Sequence, residues 1–480
     1  MSLKTPLEMM YHWEDTTPQK VYLKQPINGA VISYTWAQAA DKVRRVAAGL
    51  IALNLPAGSH VAVLSKNCAE WFIADLAIML AGHISVPIYS TAGEKTIQYV
   101  LNHAACPVIF VGKLDDTAEQ VAAIPEGVTK LAFPYPDIEA DKDWDSLMAN
   151  EPYLERPVPE MDGTMTIIYT SGSTGNPKGV VHTYNSISWA ASNSRNELSV
   201  GDEDRILSYL PLAHITERVL VEMASFYANT QIGFIESLDT FNRDICHLRP
   251  TLFISVPRLW TRFQMGVLAN MPQKKLDFLL KIPFVGNIGR AYEGVDIRIG
   301  EEGEIQVKGP CNMQEYYLEP EKTAETFTED GYLRTGDKGA IDSDGYIKIT
   351  GRLKEIFKTA KGKYIAPVPI EAVIMGNSSV EQVCVTGSQL KQPIALVVLS
   401  EDAAKQDKDK VEKSLLATLE SVNAGLESHA VLDRLVIMKD DWTVENGLLT
   451  PTLKIKRHLL EEKYDGLINA PEREKLIYQK

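Results

Sequence analysis

Between residues 35 and 111 the hydrophobic period switches back and forth, and that switching constrains the fold more than any other feature of the sequence. Apolar residues recur at helical spacing from 35 to 53, with Ala40, Val43, Val46 and Leu50 on one face. Residues 61–64 then form a short β-like run, and 70–80 are helical again. A strand at 84–88, a helix at 96–103 and a strand at 107–111 follow. Nearly continuous apolar strands separated by helices imply a largely parallel sheet covered by helices. The segment 132–156 is rich in Asp, Glu and Pro and predicts a surface connection.

Beyond Gly300 the pattern changes. Short strands at 304–309, 331–333 and 346–350 are separated by Gly/Asp turns, as in a β-rich subdomain. After Gly351 an α+β region is expected, with strands near 380–386 and 394–399 and an amphipathic helix over 408–426. At 480 residues the chain needs more than one core. The expected fold class is therefore α/β: a large N-terminal domain (1–351) of helix-covered, mostly parallel sheets plus the β-rich subdomain, and a small α+β C-terminal domain (352–480).

A net charge of −14 argues against a general nucleic-acid binder, although local basic sites for phosphates remain open. The five cysteines are scattered without metal-like spacing, which predicts buried thiols in a reducing, cytoplasmic setting. The most apolar stretch, 71–89, is broken by Asp75, His83 and Pro87. It reads as a buried helix and strand, not a membrane span. No signal-peptide pattern is expected at the N-terminus, and peripheral membrane contact stays open.

Residues 169–179 read Tyr-Thr-Ser-Gly-Ser-Thr-Gly-Asn-Pro-Lys-Gly between two apolar runs. This is a strand–loop–strand pattern. Glycines allow close backbone approach to an anion, amides and hydroxyls donate to phosphate oxygens, and Lys178 adds a positive charge. A Walker A loop is excluded, because Lys178 lies between Pro177 and Gly179 and a β-branched run follows where a helix should open. A polar hairpin turn is the plainer alternative.

The loop resembles the phosphate-binding signature of the adenylate-forming superfamily, which includes acyl-CoA synthetases, peptide-synthetase adenylation domains and luciferases. The resemblance runs from about Pro6 to the C-terminus. It implies that Thr170, Ser171, Gly172, Ser173, Thr174, Gly175 and Lys178 hold the ATP phosphates, with Ser173 or Thr174 near Mg²⁺. Tyr332-Leu333-Arg334-Thr335-Gly336-Asp337 matches a second motif, in which Asp337 accepts hydrogen bonds from the ribose diol. Alone, that hexapeptide would read more readily as a turn aspartate. Residues 345–355 resemble the segment joining the large domain to a small mobile one, with Arg352 on ribose or phosphate and Lys354 at the hinge. Lys361-Gly362-Lys363, followed by Glu371, is similar to a segment that lines the CoA tunnel in relatives. Residues 449–457 match the C-terminal catalytic segment, with Lys454 as the adenylation lysine. The blocks at 209–218 and 255–260 resemble long-chain acyl-CoA synthetases, placing His214 near the acyl-adenylate.

One superfamily element is absent. The Gly-Tyr-Gly-x-Thr-Glu segment, which holds adenine and supplies a Mg²⁺ ligand in relatives, does not occur between residues 260 and 304. Several dozen expected residues are missing at a junction near Gly289 and Arg290. By resemblance the chain is a long-chain fatty acid–CoA ligase using ATP, Mg²⁺ and CoA. A catalytically impaired, nucleotide- or partner-binding remnant is the alternative, and transfer to a carrier-protein thiol ranks below CoA.

Overall fold

The computed structural model describes residues 3–170, 176–256, 290–388, 390–450, 454–470 and 474–479. The chain divides into two compact units, residues 1–254 with 309–325 and residues 255–308 with 326–480.

A seven-stranded sheet organises the first unit. Its order is Glu315–Tyr316, Lys178–Thr183, Thr164–Thr170, Ile84–Ile88, His60–Leu64, Val108–Val111 and Thr129–Ala132. The last five strands are mutually parallel, and the first two pair antiparallel. Helix Trp36–Ile51 starts at a capping box, in which the Thr35 side chain accepts from the Gln38 amide and the Gln38 side chain accepts from the Thr35 amide. Helix Ala69–Leu80 is buried along its whole length, which is why its sequence has no polar face. The apolar stretch beginning at Trp71 is therefore core, and among the described residues no helix is long and apolar enough to cross a membrane. Beside it Trp36 stacks on Tyr22 at 3.7 Å and donates its indole N–H to Asn229 Oδ1 at 2.7 Å. A four-stranded sheet, Ala30–Thr35, Val21–Ile27, Gln231–Phe234 and Arg205–Ser208, completes this unit.

The second unit holds an antiparallel sheet of Asp296–Ile299, Glu304–Lys308, Leu333–Ile341 and Ile347–Arg352. It also holds a mixed sheet of Val380–Thr386, Ile394–Leu399, Leu435–Ile437 and Leu476–Tyr478. Helices Pro367–Ile374 and Lys408–Ala424 bury Ile370, Ile374, Leu415 and Leu419 against Val383, Val385 and Val397 of that sheet.

Three expectations need correction. The segment 132–156 is not only a surface connection: helix Trp144–Met148 packs Trp144 edge-on against Phe133 and buries Leu147 completely. The short strand expected at 331–333 is the nine-residue Leu333–Ile341. Gly336 at φ +71° and an irregularity between Lys338 and Gly339 let pairing continue through what reads locally as a turn. Finally, Cys68, Cys106 and Cys384 are buried, but Cys246 is exposed on helix Phe241–Leu248.

Phe72→Ala is expected to cost about 3–5 kcal/mol of unfolding free energy by opening a cavity in a fully buried site. Leu198→Ala, at a residue 43% exposed, should stay within about 0.5 kcal/mol of wild type. Urea denaturation of both variants checks this, and equal losses would contradict the packing described.

Candidate active site

In the first unit, strands Thr164–Thr170 and Lys178–Thr183 pair so that Thr170 faces Lys178 across the mouth of the glycine-rich loop. Thr170 is exposed, and Lys178 extends over the Tyr316 ring, 4.8 Å from its centroid. Tyr169 is anchored below: its hydroxyl lies 2.7 Å from His103 Nδ1, and His103 stacks on Tyr99. Gly179 is tightly enclosed: a Cβ there would come within 2.9 Å of Ile167 Cγ2 and 3.2 Å of Tyr169 Cζ, so a larger residue would force Ile167 to shift. Ser171, Gly172, Ser173, Thr174 and Gly175 lie outside the described residues, so the proposed Thr174 metal contact does too.

His214 caps the short helix Ile215–Glu217, its Nδ1 accepting from the Thr216 amide at 3.2 Å. Glu217 is buried, and its Oε1 accepts from Ser208 Oγ at 2.8 Å, the Tyr209 amide at 3.0 Å and Asn67 Nδ2 at 3.3 Å. Burial pushes this carboxyl up to about 8, and the hydrogen bonds only partly offset it. Arg218 is fully buried, 2.5 Å from Asp75 Oδ1 and 3.2 Å from Ser85 Oγ. Its positive charge and burial hold the His182 imidazole down to about 4, burial being the larger cause.

The second unit gathers three predicted residues. Asp337 sits directly opposite Arg352 in the antiparallel pair, and Arg352 Nε donates to Asp337 Oδ1 at 3.0 Å. The Asp337 amide donates to Thr335 Oγ1 at 3.1 Å, and the Gly336 amide to Glu304 Oε1 at 2.9 Å. Lys454 lies between Leu449 and Ile455, which pair with each other, and its amide donates to Thr450 Oγ1 at 3.0 Å. As a residue Lys454 is exposed, yet crowding around its ammonium lowers its pKa. Lost hydration is the main cause and the like charge of Arg352 adds to it, while Glu355 and Asp337 act in the opposite direction.

Lys361, Gly362 and Lys363 form an exposed turn between strands Phe357–Lys358 and Tyr364–Ile365, with Gly362 at φ +77°. The turn closes through Thr359, whose carbonyl accepts from the Gly362 amide at 2.8 Å. Lys354 lies in the single turn Leu353–Glu355. Sequence reasoning assigned no role to Glu355, Arg457 or Tyr316. The available signal was the place of Glu355 and Arg457 in the same short motifs as Lys354 and Lys454, too short-range to reveal long-range pairing.

The AMP-binding enzyme model covers residues 10–287, and the AMP-binding enzyme C-terminal domain model covers residues 355–474. The chain belongs to the AMP-binding enzyme family. This AMP-binding enzyme is 26% identical over 583 residues to a long-chain-fatty-acid–CoA ligase of Mycobacterium bovis, covering 96% of each chain. It is also 26% identical over 594 residues to the peroxisomal long chain acyl-CoA synthetase 7 of Arabidopsis thaliana, covering 93% of this chain and 83% of the relative. Among solved structures, the adenylation domain of a Mycobacterium chelonae carboxylate reductase aligns with a TM-score of 0.81 at 22% identity, over 97% of this chain and 90% of that one. The anthranilate CoA ligase AuaEII, in complex with anthranoyl-AMP, aligns with a TM-score of 0.82 at 17% identity, over 98% and 99%. The α/β fold is thus that of adenylate-forming enzymes.

Because the folded carboxyl of Glu217 titrates near 8 and the unfolded one near 4.5, its stabilising neutral form is fully present below about 4.5 and lost as pH rises through about 8. Wild type should therefore lose stability relative to Glu217→Gln between pH 5 and pH 8. Denaturant midpoints at the two pH values measure this, and a constant difference would contradict the buried carboxyl.

Proposed function

We propose that the chain is an ATP-dependent acyl-CoA ligase acting on long-chain fatty acids. The observation that carries this reading is the convergence of Asp337, Arg352 and Lys454 in the second unit. A carboxylate oxygen attacks the α-phosphorus of ATP, pyrophosphate leaves, and acyl-AMP forms. The CoA thiol then attacks the acyl carbonyl, losing its proton, and AMP departs.

Negative charge grows on the phosphoryl oxygens during the first step, and the Lys454 ammonium stabilises it. Asp337 accepts from the ribose hydroxyls, with Arg352 orienting that carboxylate or reaching a phosphate. Thr170, the Ser171–Gly175 loop and Lys178 hold the β- and γ-phosphates, and His214 lies near the adenylate. The small domain, 352–480, turns about Lys354 for the second step, bringing Lys361, Gly362 and Lys363 toward CoA. Among the described residues no three His, Cys, Asp or Glu side chains form a metal site. The long-chain assignment is supported by the names of the relatives and by the 209–218 block.

A second reading is a remnant of impaired activity. The missing adenine segment favours it. The mycobacterial match runs over 583 aligned residues, more than the 480 this chain has, so the relative carries residues at positions where this chain has none.

ATP–pyrophosphate exchange with fatty acids of graded length distinguishes the two. The ligase reading predicts acid-dependent exchange that falls on the order of 10²–10³-fold in Lys454→Ala. It also predicts that Asp337→Asn binds AMP about 10- to 100-fold more weakly, with nearly unchanged stability because the Asp337–Arg352 pair is half-exposed. Folded wild-type protein without exchange would establish the remnant instead.

A further inference from the structure

We propose that Arg457 is a positioning residue that ties the Lys454 segment to Glu355, the residue that follows the hinge Lys354, so that the two move as one piece. The proposal rests on the acyl-adenylation reading above. Arg457 Nη1 lies 2.8 Å from Glu371 Oε1, and Nη2 lies 3.8 Å from Glu355 Oε2. Nη1 also donates to the Val385 carbonyl and lies 3.1 Å from Cys384 Sγ. Glu371 Oε1 in turn accepts from the Val385 amide at 2.7 Å. One guanidinium therefore joins the 353–355 turn, helix Pro367–Ile374 and strand Val380–Thr386.

Glu355 pairs with Arg457, and its charge also acts on the Lys454 ammonium. The other charged groups acting on Lys454 are Arg352 and Asp337, which belong to the strands before the turn. Two residues separate Lys454 from Arg457, and the Lys456 amide is fixed to the Leu448 carbonyl at 2.9 Å. The position of Lys454 thus follows that of Arg457, and Arg457 follows Glu355. A planar, forked guanidinium can engage both carboxylates at once, whereas a lysine ammonium offers only a point charge.

The test uses the full chain carrying Arg457→Lys or Glu355→Gln, each checked for a cooperative melt like that of wild type. Three quantities are read: kcat and KM in ATP–pyrophosphate exchange, thioester formation from a synthetic long-chain acyl-AMP and CoA, and the acetylation rate of Lys454 by mass spectrometry. Folded variants should lose about tenfold or more in exchange kcat, with KM for ATP held within about threefold and a smaller loss in the thioester step. Lys454 acetylation should change several-fold while that of the exposed Lys410 does not. Wild-type exchange kcat in both folded variants would overturn the proposal, as would kcat and KM falling together in step with a lowered melting temperature. If wild type shows no exchange, the ligase reading fails on its own. Lys454 labelling then still decides the clamp, since equal labelling in wild type and variants overturns it and a selective change upholds it.

Discussion

The register between strands Leu333–Ile341 and Ile347–Arg352 places Asp337 opposite Arg352, and the chemical reading of the chain depends on that pairing. A slip of one residue in either strand would put the two side chains on opposite faces of the sheet. The irregularity between Lys338 and Gly339 brings Asp337 into line with Arg352, and Gly339 has no room for a side chain, because a Cβ would lie 2.5 Å from the Lys348 carbonyl oxygen. Backbone geometry thus sets an anion and a cation side by side at low stability gain, since a half-exposed pair contributes about 1 kcal/mol or less. Such a pair is better explained by what it holds than by what it stabilises.

The first unit solves a different problem. Its parallel strands and the wholly buried helix Ala69–Leu80 supply the core, and Arg218 with Asp75 adds a charged pair inside it. Removing either partner would strand an uncompensated charge, which is more damaging than replacing both. Glu217 neighbours that pair in sequence and pins Ser208, Tyr209 and Asn67, so the block carrying His214 is fixed from beneath.

Much of the fold was legible because it is written in short-range period. The helix at Trp36–Ile51 and strands Val380–Thr386 and Ile394–Leu399 lie where periodicity places them. Trp144 and Leu147 escaped because five helical residues inside an acidic, proline-bearing segment carry too little pattern. Site residues were legible only where a motif was contiguous. Arg457 meeting Glu355 and Glu371, or Arg218 meeting Asp75 from 143 residues away, is set by topology, and no spacing along the chain encodes it.

The most direct test of acyl adenylation is a single-turnover experiment with α-labelled ATP, a long-chain acid and excess protein, quenched before and after addition of CoA. The account predicts a labelled acyl-adenylate that accumulates first and is then converted to free AMP and acyl-CoA. Labelled ATP that stays intact on folded, monodisperse protein would contradict it.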